Sequence, residues 1–374
     1  MKHFLLIVIV LFSSCSKSIT SPAIQAQEPV PLILGGRHYE GRVGDLVLIS
    51  DGYWGFIDEP RKCFLEDAAS LLYLTFNIDP LDPNKMNSLE NVELLTSIKR
   101  LRIYGKNLDT VDFSPLSALS TLEDLIIEGD ISRPPDLTSL EKLTWIAIKG
   151  SALESLEGLG APNIRKMHIE METFTSLAPL SNLTKLELLE ITISRDNYLI
   201  SIGNIKNVPR LEIVGFDLWA NGGGIDLTGI HQLTALKDLD IRGSGYKLIN
   251  PHEISQLHNL EYIFLELEDE NPSIEYLRGL PNLQTVSIRD KSSVWNSEIK
   301  EPYQVLDVSP LKESPKLEDI DLRGFIIKNI SALNHLENLR FNAITLHKSR
   351  LFDETEAERS TKWLIFDVSI LRDG

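Results

Sequence analysis

Eight histidines, two cysteines and a surplus of carboxylates are the side chains with which this chain could do chemistry. The segment His252-Glu-Ile-Ser-Gln-Leu-His258 looks like a zinc-peptidase helix. That chemistry needs its second histidine four residues after the first, on the same helical face. Gln256 stands there instead, and the longer gap turns His258 to another side. No Gly-x-Ser-x-Gly elbow, phosphate loop or dinucleotide fingerprint occurs, and Gly158-Leu-Gly160 lacks a third glycine. His168 and Glu190 could make an acid–base pair, with an ordinary exposed polar strand as the blander reading. Asp238-x-Asp240-x-Arg242 recurs as Asp319-x-Asp321-x-Arg323. Such carboxylates suit calcium, but each pair carries its own arginine, so local ion pairing is expected. The sequence therefore offers no catalytic residues, no metal ligands and no cofactor. Its net charge of -17 repels phosphate backbones and argues against a nucleic-acid partner.

Cys15 is the one residue whose context predicts a covalent modification. Lys2 is followed by an unbroken apolar run from Phe4 to Phe12. The run is shorter than the roughly 20 residues that span a bilayer, but it fits a secretory signal core. The ending Phe12-Ser-Ser-Cys15 resembles the bacterial lipobox, in which small residues precede a cysteine that becomes diacylated; Phe12 replaces the usual leucine. Multiple acyl chains give the several anchors that stable attachment requires. The polar tract that follows has no periodicity and reads as a tether. Cys63 is expected to be a lone buried thiol, a Cys15–Cys63 disulfide being the alternative.

The elements that would position any site come from internal repetition. LSALSTLEDLIIEG from Leu116, LTSLEKLTWIAIKG from Leu137 and IHQLTALKDLDIRG from Ile230 share one pattern of three-residue apolar steps closed by a two-residue step. A period of two reads as a strand, and a period near three to four as a helical or tight-turn face. The last apolar residue of each unit predicts a ruler: Ile103, Ile127, Ile148, Ile169, Ile191, Ile213, Ile241, Leu265, Ile288, Leu322 and Phe341. An earlier unit ends at Leu74-x-Phe76. Two long gaps suggest insertions near Trp219 and Trp295, serving either as binding loops or as loops pinned by their own tryptophans. The fold class expected is an α/β solenoid of about twelve repeats, a leucine-rich-repeat horseshoe with a parallel concave sheet.

Phe113-Ser-Pro-Leu116, Leu177-Ala-Pro-Leu180 and Val308-Ser-Pro-Leu311, each ahead of a leucine ladder, resemble the internalin-type repeats of bacterial leucine-rich-repeat proteins. The resemblance covers about three quarters of the chain. The family's asparagine ladder, three residues after the last strand leucine, is missing here. The expected organisation is a signal peptide over 1–14, lipidated cysteine and tether over 15–30, a small β-rich N-terminal cap over 31–62, solenoid over 63–346 and a C-terminal cap over 347–374. Trp363 to Ile370 should form an irregular closing strand.

Strand alternation sends every second side chain to the concave surface. Nine of these are candidate binding residues: Arg102, Tyr104, Trp145, His168, Arg242, Tyr262, Phe264, Arg289 and Arg323. Aromatics among arginines are what binding hot spots favour; cross-strand packing is the competing explanation. The resemblance implies adhesion or host contact, so the expected partner is a host or envelope protein, and the chain is expected to be a monomer. It should face outward or toward the periplasm from a bacterial outer membrane through its lipid anchor. A glycan-binding or structural envelope lipoprotein is the alternative function. Cys15→Ala should move the exported protein from the membrane to the soluble fraction on fractionation, and a variant that still partitions into detergent would refute the lipid anchor.

Overall fold

The computed structural model describes residues 73–81, 87–150, 153–172, 176–194, 198–218, 223–243, 245–267, 271–290 and 304–339, with strand backbones at 33–34, 37–38, 344–347, 350–351 and 364–366. Cys15, Cys63, Trp219 and Trp295 lie outside these residues, and so do the lipidation, tether and tryptophan-loop expectations. Of the N-terminal cap, only an antiparallel pair, Ile33–Leu34 with Arg37–His38, is described.

Among the described residues, thirteen strands form one sheet in unbroken chain order. They are β1 (Tyr73–Ile78), β2 (Arg100–Gly105), β3 (Asp124–Gly129), β4 (Trp145–Gly150), β5 (Lys166–Met171), β6 (Leu188–Ile193), β7 (Ile213–Leu218), β8 (Asp238–Gly243), β9 (Tyr262–Leu267), β10 (Thr285–Asp290), β11 (Asp319–Arg323), β12 (Ile344–His347) and β13 (Leu364–Phe366). Every neighbouring pair is parallel. The chain is a leucine-rich-repeat solenoid. The last strand, β13, falls in the segment read as a closing strand and continues the sheet.

The return half of each repeat explains the three-residue steps. A 3₁₀ helix has three residues per turn, so every third side chain lands on one side. Ser114–Ala118, Ala178–Asn182, Pro251–Gln256 and Ser309–Glu313 are 3₁₀ helices. Leu116, Leu119, Leu122 and Leu125 follow at that interval and are all fully buried. Among the described residues there is no α-helix, so the helical half of the expected α/β repeat is 3₁₀. The sequence reading also missed two parallel three-stranded sheets on the return side. One joins Leu199–Ser201, Gly224–Asp226 and Lys247–Ile249; the other joins Gln304–Asp307, Phe325–Lys328 and Arg350–Leu351.

The structure corrects the ruler at two places. Phe216, not Ile213, pairs with Ile191 on one side and Ile241 on the other. Val214, Phe216 and Leu218 are buried, whereas Ile213 is 37% exposed. The three-residue steps Ile202, Ile205, Val208, Leu211 simply run one step further, to Val214 within β7, before the two-residue alternation takes over. The long gap ahead of Ile241 therefore comes from a displaced register, and this unit has the ordinary repeat length. Near the C-terminus, Leu346 rather than Phe341 pairs with Leu322.

Stacked turns leave backbone carbonyls that need partners. The missing asparagine ladder is replaced by one just before the strand. Asn163, Asn259, Asn282 and Asn338 donate to the carbonyls of Glu141, Thr234, His258 and Pro315 in the preceding repeat, at 2.5, 2.8, 2.8 and 2.6 Å. A second set starts the 3₁₀ turns: Asn107, Asn250 and Asn329 take positive φ. Asn329 Nδ2 donates to Asp307 at 2.8 Å, and Asn107 to Asp79 at 3.2 Å.

The corrected register has a direct test. Phe216→Ala should cost about 3–5 kcal/mol in chemical denaturation, as truncated core aromatics do, while Ile213→Ala should cost less than about 1 kcal/mol. The reverse order would restore the register with Ile213 inside.

Candidate functional site

The sheet's outward face carries three columns of side chains, one residue per strand. Cross-strand pairing fixes the middle column over β2 to β11 as Arg102, Ile126, Ala147, His168, Glu190, Gly215, Asp240, Phe264, Ser287 and Asp321. Gly215 enters this column where the displaced ruler would put Glu212. Ile213 and Asp217 flank it on β7.

The nine predicted residues fall into two groups with His168 between them. Arg102, Tyr104 and Trp145 lie on β2 and β4; Arg242, Tyr262, Phe264, Arg289 and Arg323 lie on β8 to β11. At about 4.8 Å per strand, the groups stand roughly 20 Å apart. Arg102 reaches Glu128 of the next strand, and its guanidinium lies 5.7 Å from the Tyr104 ring centroid. His168 Nδ1 lies 3.3 Å from Glu190 Oε2. That hydrogen bond, outweighing partial burial, holds the Glu190 carboxyl below its ordinary range.

The second group is more tightly built. Asp240 accepts a forked pair of bonds from Arg242, Nε to Oδ1 at 2.8 Å and Nη2 to Oδ2 at 2.6 Å. Arg323 and Arg289 share Asp321, at 3.3 and 3.8 Å from its Oδ2. Between them sits Phe264, with the Arg242 and Arg289 guanidinium carbons 4.8 and 4.6 Å from its ring centroid. Cation–π contacts of this kind stabilise a face locally. They also cover the ring, which is only 3% exposed. Phe264 thus departs from its expected role as an exposed anchor: alternation points it outward, but two long neighbours close over it. Tyr262, Trp145 and Tyr104 remain half-buried and reachable. Arg289 Nε, buried against the stack, has no hydrogen-bond partner among the described residues.

The repeated Asp-x-Asp-x-Arg segments do form in-strand ion pairs, Arg242 with Asp240 and Arg323 with Asp321. Of the peptidase-like segment, Glu253 contacts His231 of the preceding repeat at 2.5 Å. No group of three potential metal ligands exists among the described residues, nor is any described helix long and apolar enough to cross a membrane.

No protein-family model matches the sequence, and no curated protein matches it significantly. Among solved structures, an internalin of Listeria monocytogenes is 17% identical, covering 82% of this chain and 89% of that one, with a TM-score of 0.49. A leucine-rich-repeat protein of Leptospira interrogans is 14% identical over 81% of this chain and 97% of its own, with a TM-score of 0.30. A TDR receptor is 17% identical over 75% and 52%, with a TM-score of 0.43.

Asp238 gives this surface a pH dependence. Burial, and then the adjacent Asp240 charge, push its carboxyl from the ordinary 3.8 up to about 6, although Arg242 opposes them. A carboxyl whose native pKa is raised binds its proton more tightly when folded, so stability declines as pH rises from about 4 through 6. Asp238→Asn removes that decline. The stability of the variant relative to the parent should therefore increase between pH 4 and pH 7.5 in urea titrations, and a difference constant over that range would contradict it.

Proposed function

We propose that this chain is a protein-binding module, held at the bacterial envelope through Cys15, that contacts its partner with the outward face of its sheet. The observation that carries this reading is the Arg242–Phe264–Arg289 stack beside half-exposed Tyr262. The ring and Asp321 hold the Arg289 guanidinium in place, which lowers the ordering cost of engaging a partner. Tyr262 supplies rigid contact area next to it, and tyrosine and arginine are residue types in which binding energy concentrates. The partner is an envelope or host protein, and the role is adhesion or host contact.

The test is capture of a partner from envelope or host-cell extracts by the full-length protein, followed by titration of that partner against variants. Tyr262→Ala should weaken binding at least about tenfold with little change in the thermal melt. Phe264→Ala should weaken binding and lower the melt together, because its ring is buried. Undiminished binding by Tyr262→Ala and Trp145→Ala alike would remove the sheet face from consideration.

A further inference from the structure

Gly215 occupies the centre of β7, a position where glycine weakens a strand and commonly marks close approach of a ligand or another chain. Nothing among the described residues requires it. Gly105, Gly129 and Gly243 are enforced by crowding, since a Cβ on each would come within 1.8, 2.0 and 2.1 Å of a neighbouring carbonyl oxygen. Gly129 and Gly243 also take positive φ, and Gly215 does not. Among the described residues, a Cβ on Gly215 would meet only the Glu190 side chain, at 3.8 Å. The outward face therefore has an open notch one side chain wide. Its walls in the middle column are Glu190 and Asp240, two strands apart or about 9.6 Å.

The rim of the notch is of two kinds. Toward the strand starts, Leu188 and Ile213 pair across β6 and β7, and Ile213 is a large apolar residue left exposed. The rest is acidic: Glu190, Asp217, Asp238 and Asp240, against the cations Arg242 and His168. Glu190 keeps 56% of its side chain exposed, so carboxylate oxygens remain for a further donor. An apolar ledge leading to a carboxylate rim matches a long basic side chain, whose methylenes lie on apolar surface while its charge stays at the polar edge.

We propose that the Gly215 notch receives a lysine or arginine side chain of the protein partner. This rests on the sheet face being the binding surface and specifies what one point of that partner must be. The aliphatic stem packs over Gly215 against Leu188 and Ile213, and the cationic head reaches Glu190 and Asp238.

Hexalysine labelled with a fluorophore is the probe, titrated by anisotropy against the purified full-length protein. Gly215→Val fills the notch without changing any charge, and valine suits a strand. Thr285→Val, on the same face three strands away, is the equally neutral control. Gly215→Val should weaken hexalysine binding at least about fivefold, with Thr285→Val unchanged. Gly215→Ala, the smaller change, should move the affinity the same way if the valine variant fails to melt like the parent. Equal affinity of the parent and both Gly215 variants would overturn the proposal, since the acidic surface would then bind lysines without the notch. Failure here is separable from failure of the broader reading. Intact hexalysine binding by Gly215→Val, together with lost partner capture by Tyr262→Ala, rejects the notch and leaves the face. Lost hexalysine binding together with undisturbed capture by Tyr262→Ala supports the notch and rejects Tyr262 as a partner contact.

Discussion

No single repeat of this protein can bury its own leucines, and the rest of the structure follows from that constraint. One unit offers a strand of three to six residues and a return of 3₁₀ turns or short strands, too little to enclose a core. Stacking in parallel brings each strand within hydrogen-bond spacing of the next and joins Leu125, Ile146, Met167, Leu189, Val214 and Leu239 into one continuous buried row. A unit out of register would expose its leucines and leave its turn carbonyls unpaired. The asparagines ahead of the strands make the second penalty concrete, because each satisfies a carbonyl belonging to the repeat before it.

The same constraint composes the outward face. Once the inward positions are fixed, alternation decides which residues stand side by side on the surface, however far apart they lie in the chain. Arg242 and Arg289 close over Phe264 because three successive units place them in adjacent columns. Gly215 becomes a notch for the same reason: its neighbours on both strands carry carboxylates, and it carries nothing. The surface is thus a direct reading of the register, and its chemistry changes sign within a few strands.

Much of this was legible in the sequence. The ladder from Leu116 to Ile127 announces both the buried row and the strand, since only a parallel stack buries apolar residues at such a spacing. The in-strand ion pairs of Arg242 and Arg323 could be read from their Asp-x-Asp-x-Arg context. The errors have physical causes. At β7 the pair Leu211-x-Ile213 imitates a strand, and only the continued three-residue steps to Val214 and the burial of Phe216 reveal the true register. Phe264 was correctly pointed outward, but no local pattern shows that arginines from the strands on either side cover it. The short return sheets escaped notice because strands of two to four residues carry too little alternation to register.

The central claim is that the outward face of the sheet is where the partner sits. A photo-crosslinking benzoyl-phenylalanine placed at Tyr262 in the full-length protein, in living cells, tests it most directly. The return side serves as reference, with the same residue placed at His252, whose side chain is 72% exposed. A discrete protein adduct from position 262 and none from position 252 is the result the account predicts. Adducts from 252 alone would place the partner on the return side and contradict it.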